Sequence, residues 1–159
     1  MSNRVNHFVT APKLTQALSE ASMAGYKTSI EPLIKSLIDI RASQLNACAF
    51  CLDMHVKQAK IKGERELRLY HVAIWRESPL FTAKEKAALA LTEALTKLSD
   101  SGVSDELYHS TLEHFSEVEL SELCYLIGII NVWNRLQILS LAEPGSADAA
   151  FGLSKAGLN

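Results

Sequence analysis

Residues 37–55 read LIDIRASQLNACAFCLDMH, and this stretch indicates both the fold class and the chemistry of the chain. Its first half repeats apolar residues at the spacing of one helix face. Its second half holds Cys48, Cys51 and His55 in the pattern C-x-x-C-x-x-x-H. Two thiols three residues apart can form a disulfide, and an imidazole four residues further along a helix can take a thiol proton. The stretch therefore predicts helices that carry a redox or metal site.

A helix boundary is expected inside this stretch. Asn46 is a residue type favoured at helix N-caps, and Gly63 is a residue type favoured just after a helix end. We therefore predict a helix over residues 47–62. Both cysteines then lie in about its first turn, where free backbone N–H groups and the helix dipole favour a thiolate.

The rest of the chain also has helical spacing, and no stretch alternates polar and apolar residues as a strand does. Two capping boxes, Thr82 with Glu85 and Ser116 with Glu119, predict where two of the helices begin. The pattern as a whole predicts an all-α, single-domain bundle of about six to seven helices. These helices are predicted over residues 12–25, 32–46, 47–62, 64–78, 83–98, 104–114 and 117–141.

Three segments are expected within this one domain. Residues 1–30 form an N-terminal helical segment, and residues 31–140 form the core. The helix predicted at 117–141 is apolar on all sides, which indicates a central position or packing against another subunit. Residues 141–159 form a weakly apolar tail that is either frayed or docked on a neighbouring subunit.

Composition excludes several classes of function. The 159 residues suit one domain, and a formal net charge of −2 argues against a nucleic-acid or anionic-membrane partner. The longest nearly apolar stretch, residues 123–133, is well below the ~20 residues of a membrane span, and the first residues lack the pattern of a signal peptide. We therefore expect a cytoplasmic protein, whose reducing surroundings favour a redox or metal role for the cysteine pair.

The spacing indicates different roles for the two cysteines. Cys51 has His55 as its i+4 neighbour, so we expect Cys51 to attack a peroxide oxygen and become a sulfenic acid. Cys48, nearer the helix start and expected to be more exposed, then forms the disulfide and meets an external dithiol reductant. The predicted catalytic residues are therefore Cys48, Cys51 and His55, with a hydroperoxide substrate and no cofactor.

Two other interpretations of the pair stay open. The cysteines could be core residues, or they could bind zinc together with His55. A structural zinc site usually draws further ligands from a second motif, which this chain lacks, so we expect no metal. Cys124, alone in an apolar run, is predicted to be a packed core thiol. The remaining histidines are interpreted as structural, and they are His7, His71, His109 and His114.

Residues 37–55 resemble the AhpD-like alkyl hydroperoxidase group of the carboxymuconolactone decarboxylase superfamily, as do residues 70–79, 81–96 and 130–136. The resemblance extends over most of residues 30–140. It implies an all-helical fold, a trimer or hexamer, and thiol peroxidase activity. It also implies that the second cysteine, Cys51, is peroxidatic, that Cys48 resolves the sulfenic acid, and that His55 moves protons. In AhpD a lipoyl-bearing protein regenerates the dithiol, so a lipoyl protein is one candidate reductant.

The chain departs from the family pattern at one position. The best-studied members have a glutamate of the proton relay twelve residues before the first cysteine, where this chain has Ser36. Glu31 and Asp39 are nearby but are expected on other helical faces. Glu85 and Glu93 could supply a carboxylate, although Glu85 is also the third residue of a capping box and Glu93 is expected to be solvated.

Two further functions are weighed against the peroxidase. One is a decarboxylase of lactone substrates, the reaction that names the superfamily, although members with that activity do not depend on a C-x-x-C pair. The other is a non-enzymatic, redox-sensing oligomer that uses the disulfide as a switch. This second function predicts oxidation without turnover.

Overall fold

The computed structural model describes residues 4–158, and these residues form helices joined by short loops. This confirms the prediction of an all-α fold. The described residues contain nine α-helices rather than six or seven, because two four-residue helices, α1 and α9, are too short to produce an apolar period. The nine are α1 His7–Thr10, α2 Pro12–Ala24, α3 Pro32–Leu45, α4 Ala49–Ile61, α5 Glu66–His71, α6 Ala83–Thr96, α7 Asp105–Leu112, α8 Glu117–Ser140 and α9 Asp148–Phe151.

Local capping chemistry determines where several helices begin. Both predicted capping boxes are formed: Thr82 and Glu85 open α6, and Ser116 and Glu119 open α8. In each box the hydroxyl accepts the N3 backbone N–H while the glutamate accepts the N-cap N–H, which satisfies two donors that have no partner inside the helix. Proline stands in the first turn of α2 and of α3, where its missing N–H costs nothing.

Helix α3 lies at the centre of the domain, in contact with α4, α6 and α8. Residues 34–40 are all buried, so this part of α3 is surrounded on every side. Its apolar residues belong to two core clusters, one shared with α6 and α8 and the other with α4 and residues 69–81. Within residues 34–40, complete burial also brings three polar side chains into the interior, and these are Lys35, Ser36 and Asp39.

The C-terminal tail packs on helix α4 of its own chain. This differs from the prediction, which was a tail either frayed or docked on a neighbouring subunit. Leu153 is buried, and residues 153–156 contact α4. Lys57 Nζ lies 2.7 Å from Asp148 Oδ2 and 3.0 Å from Asp53 Oδ2, and the Gly145 N–H donates to the same Asp53 oxygen. A buried ammonium group and two partly exposed carboxylates therefore attach the tail to the helix that carries the cysteine motif.

Helix α8 is buried on one face and exposed on the other. Its exposed face carries apolar residues at seven-residue intervals, namely Val118, Tyr125, Val132 and Leu139. Cys124 also lies on this face and is exposed, so the prediction of a packed core thiol is wrong. The error arises because α8 is apolar on all sides, and such a pattern does not identify the inward face. Across residues 4–158, each helix is too short or too polar to span a membrane.

Candidate active site

The cysteine motif lies at the start of α4. Cys48 is the N-cap residue and the helix begins at Ala49, two residues later than predicted. The predicted cap, Asn46, instead ends α3, and its side-chain amide donates to Asn131 Oδ1 and Asn134 Oδ1 on α8. Because that amide is used to attach the α3–α4 loop to α8, it does not cap the following helix. The end of α4 agrees with the prediction, since Gly63 follows it with a φ of 98°.

Cys48 and Cys51 are joined as a disulfide in the first turn of α4, with their Cα atoms 5.4 Å apart. The Cys51 backbone N–H donates to Cys48 Sγ at 3.3 Å, so one of the free amides of the helix start points at a sulfur. Cys48 and Cys51 are 2% and 1% exposed. Both cysteines are therefore buried, and the expected exposure of Cys48 at the helix start is not observed. A backbone hydrogen bond from Cys48 N–H to Ser43 O joins this residue to the end of α3.

A cavity of about 670 Å³ opens beside the motif, between the N-terminal segment, α2, α4, α8 and the C-terminal tail. Cys51 and His55 line it, and Cys48 does not. Most of the wall is apolar, which suits a small organic molecule. The apolar wall includes Phe8, Met23, Phe50, Met54, Leu126, Ile129, Ile130, Trp133, Leu136 and Phe151, and the polar wall near His55 is formed by Tyr26, Lys35, Asp39 and Gln58.

His55 is buried and held through one ring nitrogen. Its Nδ1 lies 2.9 Å from Gln58 Oε1 and 3.6 Å from Asp39 Oδ2. Two oxygen acceptors at Nδ1 favour the tautomer that carries the proton there, which leaves Nε2 as the basic nitrogen. Burial lowers the pKa of His55 below 6.5, and the nearby Asp39 carboxylate offsets only part of this effect. The ring is therefore neutral at neutral pH and able to accept a proton.

Asp39 is the carboxylate nearest to this histidine, which corrects the prediction that it lies on a different helical face from the site. Its Oδ2 also lies 2.7 Å from Lys35 Nζ, and both side chains are buried. Burial acts to lower the pKa of Lys35, but the attraction of Asp39 outweighs it and raises that pKa. Ser36, one turn before Asp39, donates its hydroxyl to Pro32 O at 3.0 Å.

The other two candidate carboxylates are bound elsewhere. Glu85 completes its capping box, as predicted, and pairs with Arg68. Glu93 is not solvated as predicted, because it is half-buried between Arg41, Trp75 and Arg76. Burial acts to raise the pKa of Glu93, but the hydrogen bonds from Trp75 and the two arginines lower it overall.

Several residues of the cavity could not be identified from the sequence. Lys35 and Asp39 are spaced i, i+4 in a helix whose burial on every side is known only from the fold. Tyr26 follows no motif. Trp133 lies in the stretch 130–136 that resembles the family, but that resemblance assigns it no role, and His7, interpreted as structural, also lines the cavity. Within residues 4–158, no group of three or more His, Cys, Asp and Glu side chains is arranged to bind a metal ion.

Comparison with known proteins agrees with the fold and the motif. The sequence profile of the family described as "Carboxymuconolactone decarboxylase family" matches residues 11–94. The uncharacterised protein YdfG of Bacillus subtilis (strain 168) is 40% identical over 138 residues, which are 87% of this chain and 94% of YdfG.

Several solved structures are similar in fold. One is a protein of unknown function from Agrobacterium tumefaciens, for which the role of antioxidant defence protein AhpD has been proposed. It is 33% identical with a TM-score of 0.86, over 91% of this chain and 98% of the other. The second is the alkylhydroperoxidase AhpD core of a peroxidase-related protein from Ralstonia eutropha JMP134, 16% identical with a TM-score of 0.78 over 87% of this chain and 74% of the other. The chain therefore belongs to the carboxymuconolactone decarboxylase family, and within it to the AhpD-like group.

Proposed function

We propose that the protein is a thiol-dependent peroxidase that reduces organic hydroperoxides by cycling Cys48 and Cys51 between dithiol and disulfide. One observation carries this proposal. Cys51, which is paired with Cys48, lines the same cavity as His55, and His55 is neutral and hydrogen-bonded through Nδ1. A thiol, a base and an enclosed apolar space are what this reaction requires.

In the first step, His55 Nε2 takes the Cys51 proton, and the thiolate attacks the terminal oxygen of the hydroperoxide. The O–O bond breaks, Cys51 becomes a sulfenic acid, and the alkoxide receives the proton from His55 and leaves as an alcohol. In the second step, the Cys48 thiol attacks Cys51 Sγ, which releases water and forms the disulfide. The balance is one hydroperoxide and two thiols converted to one alcohol, one water and one disulfide.

An external dithiol then regenerates the enzyme. Since Cys51 lines the cavity and Cys48 does not, the incoming thiolate reaches Cys51 Sγ and Cys48 leaves as a thiolate. The Cys51 N–H that points at Cys48 Sγ stabilises this leaving group. The second thiol of the reductant then attacks the reductant sulfur that is bonded to Cys51, which frees the Cys51 thiolate and leaves the reductant as a disulfide. A dithiol on a flexible arm, such as a lipoyl group, suits a site reached through a cavity.

Thiol counting and a steady-state assay test the proposal together. Reduced protein is mixed with one equivalent of cumene hydroperoxide, and the free thiols are titrated before and after. We expect two of the three thiols to disappear, and we expect repeated turnover when a dithiol such as dihydrolipoamide is supplied. No loss of thiols would contradict the peroxidase. Loss of two thiols without turnover would contradict the peroxidase function and would indicate a redox sensor instead.

We also propose that the chain forms homo-oligomers through the exposed face of α8. Val118, Tyr125, Val132 and Leu139 are 45–73% exposed, and their seven-residue spacing suits packing of one helix against another. Light scattering measures the mass directly, and we expect a multiple of the 17.5 kDa chain that a Tyr125→Glu substitution lowers. A monomer in the unsubstituted protein would contradict this interface.

A further inference from the structure

The polar end of the cavity has an excess of positive charge at its rim. Lys35 and Asp39 neutralise one another at 2.7 Å, and His55 is uncharged at neutral pH. Lys62, the residue that follows α4, is exposed and lies outside the cavity wall, but its ammonium group approaches the same end from the rim. Among residues 4–158, no carboxylate lies within 4.0 Å of Lys62 Nζ, so the wall and rim at this end together carry a net charge of about +1.

Tyr26 brings the two ammonium groups together. Lys35 Nζ lies 4.7 Å from the centroid of the Tyr26 ring, and Lys62 Nζ lies 5.2 Å from the same centroid. Lys62 Nζ also lies 3.5 Å from Ser36 Oγ. Partial burial of its ammonium group lowers the pKa of Lys62, and repulsion from Lys35 lowers it further, so a bound anion at this point would relieve an unfavourable interaction.

The apolar wall continues from this charged end along α8. The backbone of Gly25 lies close to both Lys35 and Leu126, which places Leu126 at the charged end. Trp133 is seven residues further along α8, or about 10 Å at 1.5 Å per residue. Its Nε1–H donates to Ser22 Oγ at 2.8 Å, so its ring is fixed in the cavity wall.

We propose that the cavity binds amphipathic monocarboxylates, with the carboxylate at Lys35 and Lys62 beside Tyr26 and the apolar chain extending past Leu126 towards Trp133. Two ammonium groups supply charge-assisted hydrogen bonds to the carboxylate, and the apolar wall buries the chain. If the proposed peroxidase function holds, the preferred substrates are hydroperoxides that carry a carboxylate, rather than neutral ones of the same size.

Equilibrium binding to the disulfide form tests this site without any turnover. Decanoate and decan-1-ol have the same chain length and differ in charge, and the fluorescence of Trp133 follows their binding. We expect decanoate to bind about tenfold more tightly than decanol, as one charge-assisted hydrogen bond predicts. A Trp133→Phe variant, which should lose the signal, assigns it to the cavity.

Substitution of Lys62 tests the assignment of the charged end. Lys62→Met should weaken decanoate binding about tenfold and leave decanol binding unchanged. Lys60→Met is the matched control, because it removes an equal charge from the same helix at a residue that pairs with Glu66, and it should change neither affinity. Absent binding, equal affinities for the two ligands, or an unchanged preference in Lys62→Met would each overturn the proposal. None of these outcomes depends on the thiols, so a failed peroxidase assay leaves this test intact.

Discussion

Two carboxylates on neighbouring helices, the buried Asp39 of α3 and the half-buried Glu93 of α6, have different surroundings. Glu93 Oε1 accepts hydrogen bonds from Arg41 Nε at 2.7 Å and Trp75 Nε1 at 2.8 Å, and its Oε2 lies 2.6 Å from Arg76 Nη1. Asp39 uses one oxygen, Oδ2, for both Lys35 and His55, and it lines the cavity. Each carboxylate has a cation and a ring nitrogen beside it, but only Asp39 faces a space that a substrate can enter.

The cavity, rather than the residue types, separates the structural ion cluster from the chemical one. Both oxygens of Glu93 are occupied, so that cluster fastens α6 to α3 and to residues 75–76. Asp39 lies beside Nδ1 of His55, and His55 lines the same cavity as Cys51. Substitutions in the two clusters should therefore change different properties of the protein.

The largest expected effect is at the cavity cysteine. Cys51→Ser should abolish hydroperoxide reduction, because the nucleophile is removed and a serine hydroxyl is not ionised at neutral pH. Steady-state peroxidase assays measure this loss. Cys124→Ser is the matched control, and it should retain full activity because Cys124 lies on the exposed face of α8. Equal losses of peroxidase activity in the two variants would contradict the assignment of the active site to the cavity.

The next largest effect is expected at the base. His55→Gln should lower kcat/KM by about 10²- to 10⁴-fold, the usual contribution of general acid–base catalysis. His71→Gln serves as the control, since His71 Nδ1 lies 3.0 Å from Ser78 Oγ, and the cavity wall does not include His71. Pre-steady-state rates of thiol loss measure both variants. A His55→Gln variant with unchanged rates would assign proton transfer to another group.

The two carboxylates themselves should separate activity from stability. Glu93→Gln should cost about 3 kcal/mol of unfolding free energy, because it leaves arginines of a half-buried cluster without a counter-charge, and kcat/KM should not change. Asp39→Asn should also lower the stability, because it leaves the buried Lys35 without a counter-charge. In addition, it should lower kcat/KM about tenfold. Urea unfolding and peroxidase assays on the same preparations measure the two quantities.

A double variant isolates the contribution of Asp39 to the reaction. Lys35→Met combined with Asp39→Asn removes the ammonium group that has lost its counter-charge, and it should recover part of the lost stability. Its activity should stay low, because His55 still lacks the carboxylate at Nδ1. Recovery of activity along with stability would mean that Asp39 serves the fold alone.

The smallest expected effect is a difference in pH dependence. Because His55 has a pKa below 6.5 when folded, the unfolded chain binds more protons than the folded one as the pH falls through 6.5, and stability declines from there. The Glu93 pKa is lowered instead, so its contribution is lost only as the pH falls below 4.5. Unfolding free energies between pH 7.5 and 5 should therefore depend less on pH in His55→Gln. An identical slope in the variant would contradict a buried, neutral histidine.

Much of the fold could be predicted because its signals are local. The capping boxes of α6 and α8 and the prolines of α2 and α3 each act within one turn, and these helices begin where they predict. The start of α4 was misplaced because Asn46 bonds across to α8, a contact between residues 85 positions apart that no local pattern reveals.

Of the candidate site, only the residues of the cysteine motif could be predicted from the sequence. The spacing of Cys48, Cys51 and His55 identified the reactive segment, but the partners of His55 come from how α3 packs against α4. Asp39 was assigned to another helical face because the relative rotation of two helices is a property of tertiary packing. The burial of Cys48 and the tail on α4 could not be predicted for the same reason.

Trapping of the sulfenic acid tests most directly whether Cys51 is the thiol that meets the peroxide. The reduced Cys48→Ser variant is treated with one equivalent of cumene hydroperoxide and with dimedone, and the adduct is located by mass spectrometry. We predict a single adduct on Cys51, and none on Cys48 in the reciprocal Cys51→Ser variant. An adduct on Cys48 in Cys51→Ser, with Cys51 unmodified in Cys48→Ser, would contradict the account.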